Sequence, residues 1–380
     1  MTNSAFDRRT FFRGGLAATC GAAAAGLGGH FLSAIGQERA QPSTVHDDIR
    51  RALNRAELSM QFKGGTAEEC RTWQVRFRKK LSQLMGDSTP PAEWKAKLES
   101  RIKLGDHTRY EFLLESDGVA SLPVYLLVPI GMAPMQRVPG VVCVHGHGDY
   151  GHHTIVGRTD LEGVEESIRK ANYDYGLQFV RRGYVVAAPC LVPFGRRVER
   201  DKYGSDACAV TLVRMQALGK LPITENLRDI RWAIDLLQSR AEVHADRIGC
   251  AGLSYGGRMT MAAAAMDDRI KVAAVSGALN LMQERMAGRY SCGGQVIPGL
   301  LKYGDYSEIG SLIAPRPCVW EVGSQDGLVI PKWDDIFRDR LRRVYSALGS
   351  TDRLHFDHFE GGHRWNGQVA FPLFHLVLRS

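Results

Sequence analysis

Short, almost wholly apolar runs alternate with longer segments of helical periodicity through most of this chain. Val141–Val144, Tyr184–Ala188, Arg247–Ala251, Val272–Val275, Cys318–Val322 and Leu354–Phe359 read as strands. Between them, Tyr173–Arg181, Leu227–Leu237, Met259–Met266 and Trp333–Leu348 repeat apolar residues at the three- and four-residue spacing of a helix. A strand with one wet face alternates apolar and polar residues, whereas one buried on both faces reads as an unbroken apolar run. Helices between such strands supply both the crossover a parallel pair needs and the cover for its faces. The order predicts an α/β fold with a mostly parallel central sheet and helices on both faces. Two further strands, Arg109–Glu115 and Val124–Val128, joined through Asp117-Gly118, precede it.

Upstream, Val45–Leu58 and Thr66–Met85 read as helices, the second with Trp73, Phe77, Leu81 and Leu84 on one face, and Ser88-Thr89-Pro90-Pro91 ends that region. The expected organisation is a helical extension over residues 37–97, packed on a main domain over residues 98–380. Residues 1–36 read differently. Asp7-Arg8-Arg9-Thr10-Phe11-Phe12-Arg13 precedes an Ala/Gly-rich stretch, the pattern of a twin-arginine export signal, with small residues for cleavage at Ala34-Ile35-Gly36. The expected partner there is the twin-arginine export machinery, and the expected location periplasmic or secreted. The apolar stretch is too short and glycine-rich for a stable membrane span.

The 380 residues are 44% hydrophobic and 24% charged, enough for a large core. The net charge of +8 is dispersed rather than gathered into a basic stripe, which argues against nucleic acid as a partner. Cys143, Cys190, Cys250 and Cys318 fall inside apolar runs, and no C-x-x-C pair is present, so the thiols are expected to be free and buried.

Gly252-Leu253-Ser254-Tyr255-Gly256 directly follows a strand and opens a helix. Such a turn exposes the serine hydroxyl at a helix N-terminus, where developing negative charge is favoured. A serine hydroxyl needs a base to act as nucleophile, and the base needs an acid to orient it. His363, in Gly361-Gly362-His363 after the last strand, is the expected base. Asp326, in Gly323-Ser324-Gln325-Asp326-Gly327, is the expected acid, with Asp305 as its rival; Glu321 and Asp352 are badly placed in or before strands. His355 and His358 suit structural roles. His145-Gly146-His147-Gly148 can aim a backbone N–H, from His147 or else Gly148, at a substrate carbonyl, and the N–H of Tyr255 is the expected second donor. Asp149, Tyr150, Arg196 and Trp365 are candidate substrate contacts, and the segment from Leu191 to Leu221, with Arg196, Arg197 and Tyr203, is a candidate cap. The mechanism requires no cofactor. An alternative reading rests on His145, His147, Asp149, His152 and His153, which nearly spell the H-x-H-x-D-H signature of binuclear metallohydrolases, with Tyr150 breaking the match. A non-catalytic binding protein is a third reading, against which the intact serine constellation weighs.

Together, VVCVHGHG (Val141–Gly148), RGYVVAAP (Arg182–Pro189), DRIGCAGLSYGG (Asp246–Gly257), IAPRP (Ile313–Pro317), GSQDG (Gly323–Gly327) and GGHRW (Gly361–Trp365) resemble the α/β-hydrolase superfamily, in its dienelactone-hydrolase and acetyl-xylan-esterase-like branch. The resemblance spans residues from about 120 to 380. It implies ester hydrolysis through an acyl-enzyme, with Ser254 as nucleophile, Asp326 as acid and His363 as base. The acetyl esterases of that branch, the expected export, and the polar and aromatic loops with His147, Asp149, Tyr150, Arg364, Trp365 and Asn366 together lead to the expectation of short acyl groups on polar or carbohydrate-like alcohols. Dienelactone hydrolases use cysteine as nucleophile; the serine here points to the esterase side of the branch.

Overall fold

A computed structural model describes residues 43–199, 206–288 and 291–380. The expected leader over residues 1–36 and Tyr203 lie outside the described residues.

Nine strands form one sheet: β1 (Lys95–Lys103), β2 (His107–Glu115), β3 (Leu122–Pro129), β4 (Val138–Val144), β5 (Val185–Pro189), β6 (Val243–Leu253), β7 (Ile270–Ser276), β8 (Cys318–Gly323) and β9 (Leu354–Phe359). Their order is β1-β2-β3-β5-β4-β6-β7-β8-β9. The pairs from β1 to β5 through β2 and β3 are antiparallel, and every pair from β5 onward is parallel. The expected α/β architecture is therefore present, with an antiparallel margin. The apolar runs have the predicted cause. Val142 and Val144 pack on one face with Leu227, Ile230 and Met259, while Val141 and Cys143 pack on the other with Tyr175, Phe179 and Phe374.

Helix Ala67–Met85 is capped by Thr66, whose hydroxyl accepts from the Glu69 N–H while the Glu69 carboxylate accepts from the Thr66 N–H. Phe77 and Leu81 from that helix are fully buried in the same core as Val142 and Val144. The expected boundary at residues 97 and 98 falls inside β1. That strand, Lys-Ala-Lys-Leu-Glu-Ser-Arg-Ile-Lys, has almost no burial on either face and so lacks the apolar signal that reveals a strand; its charges suit a sheet edge. The C-terminal helix Ala370–Arg379 buries Leu373, Phe374 and Leu378 against the sheet, and the segment from Leu191 to Leu221 contains the helix Ala207–Ala217. All seven cysteines of the described residues are free and buried. Among the described residues, no helix is long and apolar enough to cross a membrane.

Candidate active site

Ser254 stands where β6 turns into the helix Tyr255–Met266, with φ 63° and ψ −122°. A side chain other than glycine's is strained there, at about 1–3 kcal/mol. The turn is held by the Ser254 N–H, which donates to the Ser276 carbonyl at the end of β7 at 2.8 Å. Gly256 has to be glycine, because a Cβ would lie 1.9 Å from the Val144 carbonyl oxygen. The sharp turn thus packs directly on the end of β4, and Ser254 is raised above the carboxyl ends of the parallel strands, where ligands bind in open α/β sheets.

The loops after β8 and β9 bring the other expected residues to the same place. Nδ1 of His363 lies 2.7 Å from Oδ2 of Asp326, and Oδ1 of Asp326 accepts from the Leu328 N–H at 2.9 Å. Asp326 is buried, so its carboxylate has few competing water contacts. Nε2 of His363 has no partner among the described residues. The ring lies against Gly277, at φ 60°, where a Cβ would come within 2.7 Å of Cε1. Burial pushes the Glu321 carboxyl up to about 7. On β8, it accepts the Gly367 N–H at 2.9 Å and the Asn366 N–H at 3.4 Å, tying down the segment that follows His363.

Ser254, His363, Tyr255 and His147 border one cavity of about 330 Å³. Tyr255 is the first residue of its helix, so its N–H has no intrahelical acceptor. The turn that carries His147 is fixed through His145. Nε2 of His145 accepts from the Leu191 N–H at 2.9 Å, which leaves Nδ1 to donate to the Gly146 carbonyl at 2.8 Å. Burial holds this ring neutral and pulls it down to about 4. Chemically, the arrangement offers a hydroxyl, an oriented imidazole and backbone donors around one cavity.

The rival acid has other work. Asp305 is buried and accepts from the N–H groups of Met282 (2.6 Å), Gln283 (3.0 Å) and Tyr306 (2.6 Å), capping the helix Tyr306–Ser311. His358 Nε2 lies 3.3 Å from Asp334, in keeping with a structural role.

Four expected substrate contacts are not in the cavity wall. Trp365 is buried among Tyr175, Phe179 and Phe371. Arg196 pairs with Glu99 at 2.6 Å and Glu111 at 2.9 Å, tying its segment to β1 and β2. The Tyr150 hydroxyl is set against Gly163, and the charge of Asp149 acts on His147. The wall is completed instead by residues with no sequence motif, among them Arg258, Asn280, Arg285, Cys292 and Gln295. Arg258 is buried one helical turn after Ser254, donates to the Asn280 carbonyl at 3.1 Å and lies over the Tyr306 ring; burial lowers it to about 10. Only its spacing from Ser254 could have pointed to it.

The histidine-rich metal set is not assembled either. His145 spends both ring nitrogens on backbone groups, and His152 is buried against the rings of Tyr125 and His153. Among the described residues the donors that do converge are His147, Cys208 and Cys292. The hydrogen bond from Cys208 draws the Cys292 thiol down to about 6 against the cost of its burial, and His147 adds to the effect.

The Dienelactone hydrolase family matches residues 150–284, which include the Ser254 turn. YtaP of Bacillus subtilis, whose name calls it a hydrolase, is 31% identical over 296 residues, covering 75% of this chain and 92% of that protein. Two solved structures share the fold at lower identity. A Bacteroides fragilis protein that carries the name acetyl xylan esterase has a TM-score of 0.71 at 19% identity, over 85% of this chain and 84% of its own. A glucuronoyl esterase from Solibacter usitatus has a TM-score of 0.60 at 15% identity, over 85% and 97%. With a relative matched along nearly its whole length and the serine turn inside the matched segment, this chain is a hydrolase of the α/β-hydrolase fold and belongs to the dienelactone hydrolase family.

Proposed function

We propose that the protein is a serine carboxylester hydrolase, acting through an acyl-enzyme on short acyl esters of polar or carbohydrate-like alcohols. One observation carries the reading. The 2.7 Å contact between His363 Nδ1 and Asp326 leaves Nε2 as the proton acceptor, in a ring that borders the same cavity as the strained Ser254. Nε2 takes the Ser254 proton as Oγ attacks the ester carbonyl, and returns it to the departing alcohol. The N–H groups of Tyr255 and His147 receive the oxyanion. A second turn with water releases the acid. Arg258, Asn280 and Gln295 in the wall favour an oxygen-rich alcohol over a long hydrocarbon. The names of the fold neighbours, esterases of xylan and of glucuronoyl groups, agree with that choice. The Arg8-Arg9 signature further supports export by the twin-arginine machinery to the periplasm or beyond.

The test is covalent labelling. A fluorophosphonate should label the wild type and spare Ser254→Ala, while that variant keeps its fold and loses ester hydrolysis. Labelling that persists in Ser254→Ala would overturn the assignment.

A further inference from the structure

Beside the serine cavity, three soft donors arrive from three separate segments. His147 follows β4, Cys208 lies in the first turn of the helix Ala207–Ala217, and Cys292 precedes the turn at Gly293–Gln295. Their ligand atoms all lie within 4.8 Å of one another, and Nε2 of His147 is 3.4 Å from Sγ of Cys208. Tetrahedral zinc, with sulfur at about 2.3 Å and nitrogen at about 2.0 Å, sets its ligands roughly 3.5–3.8 Å apart. His147 and Cys208 are therefore already at about the spacing of two corners of such a tetrahedron, and the other two pairs lie within 4.8 Å.

The surroundings fit a bound cation. Both cysteines are buried, whereas His147 is exposed and borders the cavity together with Cys292, so an ion has a way in. The Gly294 N–H donates to Cys292 Sγ at 3.3 Å, which fixes the direction of the sulfur as outer partners do at metal sites. The His147 ring is further held edge-on to Phe194, with centroids 5.1 Å apart. Two thiolates and an imidazole are a soft set that selects zinc and its congeners over magnesium or calcium. Three protein ligands leave a fourth position for an exchangeable one.

We propose that His147, Cys208 and Cys292 bind a thiophilic divalent cation, zinc above all, at the wall of the serine cavity. The site shares only His147 with the histidine-rich motif of the sequence, and it does not rest on the esterase reading.

The experiment uses the full chain, reduced and stripped of metal, titrated with zinc against a chromogenic chelator. One ion per chain is expected. Cys208→Ser and Cys292→Ser should each weaken binding by at least the roughly 10–100-fold that loss of an outer-shell partner costs. Cobalt(II) in place of zinc should give thiolate-to-metal charge-transfer absorption, which the double variant loses. The same titration on Ser254→Ala should be unchanged, which separates this site from the nucleophile. Circular dichroism of each variant, with Cys208→Ala as a second replacement, distinguishes a lost ligand from a lost fold. Absence of binding by the wild type, full affinity in the folded double variant, or a Cys208–Cys292 disulfide in the native protein would each overturn the site.

Discussion

Asp326 and His363 meet at 2.7 Å although 37 positions separate them, and the contact fixes which nitrogen of the imidazole carries its proton. An amide at residue 326 can satisfy the ring in the wrong tautomer. Asp326→Asn should therefore lower kcat by about 10⁴-fold with the fold intact. Asp305→Ala should do the opposite. Three buried backbone N–H groups lose their acceptor, so stability should fall by about 1–3 kcal/mol or more while the folded fraction keeps its kcat. Steady-state kinetics with urea unfolding of both variants checks the pair.

Strain at the nucleophile gives a second expectation. Ser254 holds φ 63° without being glycine. Ser254→Gly should abolish turnover and raise stability by about 1 kcal/mol, because glycine adopts this conformation without steric cost. Ser254→Ala should abolish turnover with no such gain. Equal melting temperatures for the two variants would show that the turn is not strained.

These residues were legible in the sequence because each is tied to a local signal. Ser254 lies in a glycine-flanked turn between a strand and a helix, Asp326 lies in a loop after the apolar run Cys318–Val322, and His363 follows the last strand in a glycine-rich loop. The rest of the wall depends on tertiary packing. Cys292 and Gln295 lie in a segment with no motif, and Arg258 reads as an ordinary helix residue. Trp365 is a different kind of miss. Two positions after His363 it suggests an aromatic ligand contact, yet the loop turns its ring into the core beside Tyr175. Composition near a catalytic residue does not reveal which way a side chain faces. β1 stayed hidden because an exposed edge strand carries no apolar code.

Acid should weaken the fold through His145. Its ring is held neutral by burial, with a folded value of about 4 against an ordinary value of 6.5. The unfolded chain therefore binds more protons between those values. The stability His145 contributes is complete above about 6.5 and is lost as pH falls toward about 4. Glu321, raised to about 7, acts in the opposite sense, losing stability as pH rises toward 7, so the two must be separated by difference. His145→Gln should cost more at pH 7.5 than at pH 5, by on the order of 2 kcal/mol. Urea unfolding at the two pH values measures it; an equal cost at both would show that His145 is not the titrating group.

Export can be tested apart from chemistry. Changing Arg8→Lys together with Arg9→Lys should strand the protein in the cytoplasm, because the twin arginines are the recognised feature. Cell fractionation with an activity assay reads the outcome, and an unchanged exported yield would remove the twin-arginine route.

Acyl-chain preference follows from the shape and lining of the cavity. A volume of about 330 Å³ has to hold the ester carbonyl, the alcohol and the acyl group together. Its wall sets the polar side chains of Arg258, Asn280 and Gln295 beside apolar surface that includes Ala278 and Leu328. Each methylene that entered an apolar slot would gain about 0.8 kcal/mol, so a lipase-like channel would raise kcat/KM steadily along a series of lengthening esters. Here a longer chain soon meets charged and amide groups, whose desolvation opposes its entry. The maximum of kcat/KM should therefore fall at about two to four carbons and decline beyond. The measurement is kcat/KM over p-nitrophenyl esters from acetate to palmitate, with acetate release from acetylated sugars assayed alongside. A maximum at about eight carbons or longer, or no acetate from any sugar ester, would reject the substrate class and leave the serine mechanism to be judged by labelling alone.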